Sequence, residues 1–262
     1  MQTGALVAMS NPFSRRDMLA SAGVMAAAVA ASSVVGEDPS SHSSKATKKF
    51  RILVTGGHPG DPEYGCGGTI AMYADLGHDV ALLYLNRGDP NEVPSDQRIF
   101  PRVTEATKAC AILKARPLFA GQIDGHAVVD AAHYEAFRKI LATEKPDAVF
   151  THWPIDNHAD HRAMSLLVYD AWINAKKSFA LFYYEVSSGE DTIQFSPTHY
   201  VDITKAEPRK RSACFAHASQ SPDHFYKLQD TVARFRGIES GRPLAEAFVR
   251  HIQSPYFSLP QV

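Results

Sequence analysis

The chain has 262 residues, with 27 Lys and Arg against 28 Asp and Glu, for a net charge of −1. That balance carries no electrostatic footprint for a nucleic acid, so this class of partner is excluded. Three cysteines, Cys66, Cys110 and Cys214, are too few and too far apart for a disulfide framework. One pair has the option of bridging, but Cys66 and Cys110 fall in expected helices and read as buried free thiols.

Residues 1–35 open with a twin arginine, Arg15 and Arg16, followed by an Ala- and Val-rich run from Met18 to Val35. This order reads as a twin-arginine export signal, cut near Ser32, with a retained anchor as the alternative. Once the signal is removed, no stable membrane span is expected. Residues 36–48 are polar and aperiodic and read as a flexible linker. Residues 49–262 remain, about 210 in all, a length suited to one α/β domain.

Within that domain, "FRILVTGG" (50–57) reads as a buried strand, "GCGGTIAMYADLGH" as a helix and "DVALLYLN" (79–86) as a second strand. "RVTEATKACAILKA" is helical, "ARPLFAGQID" is a short strand leading into a loop, and "YEAFRKILATEK" is helical again. "PDAVFTHW" (146–153) is a buried strand, "HRAMSLLVYDAWINA" a helix, and "FALFYYEV" and "THYVDIT" further strands. The tail from Lys205 to His251 reads as mostly helical. Alternating strands and helices predict a mainly parallel, Rossmann-like sheet with helices on both faces.

Ligands in such folds sit beyond the carboxyl ends of the strands. His58 falls just past the first strand, and His152 to His161 fall just past "DAVFTH", so both polar clusters belong to one sheet edge. "HPGD" puts an imidazole and a carboxylate three positions apart, and "DNHADHRA" adds Asp156, His158, Asp160 and His161 at a helix start. Two histidines, one carboxylate and a water are a common catalytic zinc set, with His58, Asp61 and His161 as candidates. The bland readings are a histidine bonded to backbone and Asp156 as a helix cap. A phosphate cradle is disfavoured: "GGHPGDPEYGCGG" lacks G-x-G-x-x-G and a Walker lysine, and it sets acids where a phosphate needs bare amides.

At these residues the chain resembles the PIG-L/LmbE-like family of zinc-dependent N-acetylglucosamine deacetylases. The family's A-H-P-D-D-x-E stands here as "GHPGDPE", and its H-P-D-H as "HADH" at 158–161. The likeness continues through "RVTE" (102–105), "DG" (124–125), "YYE" (183–185), "VDIT" (201–204), "HASQ" (217–220) and "GRPLAEAF" (241–248). The resemblance implies that His58, Asp61 and His161 bind Zn2+. It implies that His158 polarises the tetrahedral intermediate or protonates the departing amine, with Asp160 orienting an imidazole. Arg102 and Asp124 match sugar-contacting positions, and Glu63 a supporting one.

One position departs. The first of the family's paired aspartates, the general base, is Gly60 here, and loss of a positioned base typically forfeits about 10²–10⁴ in rate. Glu63 or Asp156 substituting as base, unassisted attack with His158 handling the proton, and sugar binding without efficient hydrolysis are the three explanations. The expected activity is removal of an acetyl group from an N-acetylated amino sugar, and the alternative is a zinc-containing carbohydrate-binding protein. Tyr183, Tyr184, Phe225 and Tyr226 are candidates for either pocket or core. Phe225, Leu228, Val232 and Phe235 recur at helical spacing, facing inward or toward a second subunit, which leaves the oligomeric state open.

Overall fold

The computed structural model describes residues 48–88 and 101–261. The expected signal segment and nearly all of the linker lie outside the described residues. Seven strands form one sheet: β1 (Arg51–Gly56), β2 (Asp79–Asn86), β3 (Arg116–Gln122), β4 (Ala148–His152), β5 (Ala180–Tyr184), β6 (His199–Asp202) and β7 (Ala245–Arg250). Their order is β3-β2-β1-β4-β5-β7-β6. β1 to β5 are parallel, whereas β7 runs antiparallel to both β5 and β6.

The period-two alternation of β1 sends Ile52 and Val54 into one buried cluster and Leu53 into the other, so both faces of the sheet are covered. On the first face lie α1 (Asp61–Asp75), α2 (Pro101–Leu113), α5 (Glu207–Phe215) and α6 (Pro222–Ser240); on the second lie α3 (Ala131–Glu144) and α4 (Ala159–Asn174). The mainly parallel sheet with helices on both faces is as expected. All three cysteines are buried and free. No helix among the described residues is long and apolar enough to cross a membrane.

Two segments differ from the expectation. The helical tail ends at Gly241, whose φ of 70° terminates α6, and "AEAFVR" then forms β7 between β5 and β6. Its partners are distant in sequence, so local periodicity carried no sign of it. The first helix also begins earlier than its glycines suggest, at Asp61 instead of Gly65. Those glycines serve packing: a Cβ on Gly65 would stand 2.3 Å from the Tyr184 ring, so α1 lies against β5 only where a side chain is missing.

The chain leaves β1 toward β2 and β3, then returns to the other side of β1 as β4 and β5. The carboxyl ends of β1 and β4 therefore flank the point where strand order reverses, the crevice where ligands bind in such sheets.

Candidate metal centre

The loop after β1 turns at Gly60, whose φ of 115° is closed to L side chains without strain. The turn sets Asp61 at the first position of α1 and leaves the helix N-cap without a side chain. Asp61 then faces back across the loop. Its Oδ2 accepts from the His58 amide at 2.7 Å and lies 3.3 Å from His58 Nδ1 and 3.3 Å from His161 Nε2. His152, at the end of β4, brings its Nε2 to 3.3 Å from the same oxygen and stacks on His161 with centroids 4.0 Å apart.

The outer nitrogens of the two candidate ligands are also held. His161 Nδ1 meets Asp156 Oδ1 at 3.1 Å, and His58 Nε2 meets Asp124 Oδ1 at 2.9 Å and Asp160 Oδ2 at 3.2 Å. Asp160 is buried and also accepts from Asn86 Nδ2 at 3.0 Å and the Gly125 amide at 2.9 Å. The imidazole that Asp160 orients is therefore His58. His158 caps α4, its Nδ1 accepting from the Asp160 amide at 3.2 Å. That bond leaves the ring proton of a neutral His158 on Nε2.

Charge is distributed unevenly. Burial alone would raise the Asp61 carboxyl, but the imidazoles of His161, His152 and His58 hold it well below the usual range. Burial opposes a charge on His161, yet Asp61 and Asp156 lift it to about 9. His58 is likewise disfavoured by burial and still raised well above its ordinary value by Asp124, Asp160 and Asp61. Burial and the charge on His161 push His152 down to about 4, so it stays neutral. His158 is lowered by burial and by the charges on His58 and His161.

Two separations in this donor set suit a tetrahedral cation, although His58, Asp61 and His161 together are not among the triplets whose donor atoms all lie within 4.8 Å of one another. Bonds of about 2.0–2.1 Å place tetrahedral ligand atoms roughly 3.3 Å apart, the separation Asp61 Oδ2 keeps from the inner nitrogens of His58 and His161. Both imidazoles carry a carboxylate on the far nitrogen, the usual backing of a metal-ligating histidine. Donor atoms of three overlapping sets lie within 4.8 Å of one another: His58, His158 and His161; Asp61, His152 and His161; and His58, Asp124 and Asp160.

The cluster floors a cleft of about 270 Å³. Arg102 and Asp124 line it, 3.6 Å apart, with Arg102 also donating to the Pro59 carbonyl at 3.0 Å. Tyr64, His217, Gln220 and Phe225 line it too, as do Val186, Ser187 and Asp191 from the segment after β5. The expected metal and sugar-contacting residues and His158 thus meet around one crevice, with Asp160 buried behind His58. The two expected stand-ins for a base do not face it. Asp156 is engaged by His161, the His158 amide and the Thr192 hydroxyl, and Glu63 is fully buried between the Tyr84 hydroxyl at 2.7 Å and His217 Nε2 at 3.0 Å. Of the four aromatics, Phe225 lines the cleft, while Tyr183, Tyr184 and Tyr226 are buried in the core. From sequence, His152 was placed at this edge without a role, and Asp191 was missed. The former had a signal in its place at the end of a buried strand, whereas the latter had none.

A family model described as PIG-L, GlcNAc-PI de-N-acetylase, matches residues 53–172. The diacetylchitobiose deacetylase of Thermococcus kodakarensis is 26% identical over 219 residues, 75% of this chain and 81% of that protein. The conserved protein TT1542 from Thermus thermophilus superposes with a TM-score of 0.68 at 27% identity, over 81% of this chain and all of that one. The N,N'-diacetylchitobiose deacetylase of Pyrococcus horikoshii, at 24% identity and a TM-score of 0.65, shares the fold over 79% of this chain and 87% of that one. Motifs at both ends of the crevice, the sheet order that joins them and these likenesses agree, and residues 53–172, which carry both motifs, belong to the PIG-L family.

Proposed function

We propose that this protein is a zinc-dependent hydrolase that removes the acetyl group from an N-acetylated amino sugar or its conjugate. The observation that carries the reading is the doubly backed pair of imidazoles: the inner nitrogens of His58 and His161 face one oxygen of Asp61, and buried carboxylates hold the outer ones. His58, Asp61 and His161 would hold the zinc ion, which when bound polarises a carbonyl and lowers the pKa of a water.

The chain's own residues supply the rest. Arg102 and Asp124 offer a fork of donors and a carboxylate acceptor to sugar hydroxyls at the cleft wall. His158, protonated on Nε2, donates first toward the amide oxygen as negative charge develops and then toward the departing nitrogen. Asp160 keeps His58 in one orientation and acts through it. The diacetylchitobiose deacetylase likeness favours an acetamido sugar over other amides. The twin arginine at Arg15 and Arg16 adds export through that route to the proposal.

Amine release from N-acetylglucosamine and N,N'-diacetylchitobiose by zinc-loaded protein tests the reading. Turnover that disappears in His161→Ala is the expected result. A second reading, a zinc-containing carbohydrate-binding protein, rests on the bare N-cap at Gly60 and the engagement of Asp156 and Glu63. Sugar binding by the wild type without amine release would establish it instead.

A further inference from the structure

The hydrolysis proposed above needs a group that takes a proton from the attacking water, and Gly60 provides none. Three carboxylates line the cleft: Asp61, Asp124 and Asp191. Asp61 is surrounded by the imidazoles of His58, His152 and His161. Asp124 lies between His58 Nε2 and Arg102. Asp191 has no Lys, Arg or His within ion-pair distance among the described residues, and its backbone amide donates to the Ser187 carbonyl at 2.9 Å.

The segment bearing Asp191 is pinned to the site. Asn157 donates its amide to the Asp191 carbonyl at 2.8 Å, and Ile193 donates to the Ile155 carbonyl at 3.2 Å. Thr192, buried, donates its hydroxyl to Asp156 Oδ2 at 2.9 Å while accepting from the Val186 amide at 3.1 Å. The loop that carries Asp156 and His158 and the loop that carries Asp191 are therefore stitched together as neighbouring parts of one wall.

Resting on the deacetylase reading, we infer that Asp191 is the proton acceptor of this chain, taking over from the carboxylate missing at Gly60. As the water oxygen bonds to the amide carbon, one water proton passes to an Asp191 carboxylate oxygen. The carbon–nitrogen bond then breaks as the nitrogen takes that proton from Asp191, which regenerates the carboxylate, and the acid and amine leave as acetate and an ammonium group once the acid proton passes to the amine. The charged groups facing Asp191 are His161, Asp156 and Asp61. Burial lifts its carboxyl above the ordinary aspartate value, and Asp156 and Asp61 add to the lift against His161, which makes it a better proton acceptor than an ordinary aspartate.

Asp191→Asn is the direct test. It should lower kcat by about 10²–10⁴ while leaving KM, zinc content and calorimetric binding of N-acetylglucosamine unchanged. Asp191→Ala should regain turnover as formate is added, and His161→Ala should not. A kcat within about threefold of wild type, a loss confined to KM, or failure of formate to restore Asp191→Ala would overturn the assignment. Wild-type protein that releases no amine from any acetamido sugar overturns the parent reading, and Asp191 with it, before any substitution is made.

Discussion

Two buried ionic clusters lie along α1, one at its middle and one at its N-terminus, and they are built on opposite principles. At its middle, Glu246 of β7 accepts from the Gly68 amide at 2.8 Å, the Thr69 amide at 2.8 Å, the Thr69 hydroxyl at 2.6 Å and Lys210 Nζ at 2.7 Å. Lys210 and Glu246 are 1% and 3% exposed, so one positive and one negative charge close on each other and no bonding capacity faces a ligand. At the N-terminus of α1, Asp61, Asp124, Asp156 and Asp160 surround histidines that carry charge only when protonated. The first cluster is balanced and pins α1 to α5 and β7. The second holds more negative charge than fixed positive charge and opens to a cleft, so it calls for a cation. Burial of charge alone does not mark a site; imbalance does.

The largest effect that would sharpen this contrast is Asp61→Ala. It takes away the oxygen shared by His58 and His161, and elemental analysis should find the zinc lost and turnover below detection. Equal metal content in wild type and variant would remove Asp61 as a ligand. The companion substitution in the balanced cluster is Lys210→Met. Breaking one side of a buried pair leaves an unpaired carboxylate and typically costs about 3–5 kcal/mol. Denaturant unfolding should show that loss, while kcat per folded molecule and zinc content stay at wild-type values. A fall in kcat without a fall in stability would break the comparison.

The imbalance also has a pH signature. In metal-free protein, His161 is raised from about 6.5 when unfolded to about 9 when folded, and His58 moves in the same direction. A raised histidine contributes stability fully below its unfolded value and loses it as pH rises through the folded one. Thermal unfolding in chelator should therefore show falling stability from about pH 6.5 through about 9. Asp61 is shifted the other way, and its contribution is lost only as pH falls through its depressed value, far from this window. Bound zinc needs neutral imidazoles, so its apparent affinity should rise over the same range as protons are displaced. A flat stability profile without metal would mean that His58 and His161 are not held charged by the carboxylates.

How much of this was legible beforehand follows from the range of each interaction. The strands β1, β2, β4 and β5 are short apolar runs, so pattern located them. His58, Asp61 and His161 stood in recognisable motifs at the ends of those strands. Two supports were hidden. β7 takes its identity from β5 and β6 across the sheet, and Asp191 owes its place to the pairing of the Ile155–Asn157 and Asp191–Ile193 segments. The start of α1 was misplaced, because the helix was expected from Gly65 while Asp61 to Tyr64 read as part of the preceding loop. Only the Tyr184 ring on β5 explains why Gly65 belongs in a helix. Local chemistry was visible, and contacts distant in sequence were not.

The smallest expected effect concerns Gly60, where the family's aspartate could be restored. The space beside it is adequate, since a Cβ there would meet the Tyr64 ring at 3.6 Å and His217 at 4.0 Å, ordinary contact distances. The obstacle is the backbone, because φ of 115° with ψ of −41° is glycine territory. Gly60→Ala and Gly60→Asp should each cost about 1–3 kcal/mol by denaturant unfolding, the same within error, since both meet the same strain. A much larger loss for Gly60→Asp would instead point to repulsion from Asp61, its immediate neighbour. With Asp191 serving as proton acceptor, Gly60→Asp should raise turnover little in the wild-type background and noticeably in Asp191→Asn. A large gain in the wild-type background would mean that the cleft was waiting for a base, and the bare turn at α1 would then be the mark of a binding protein.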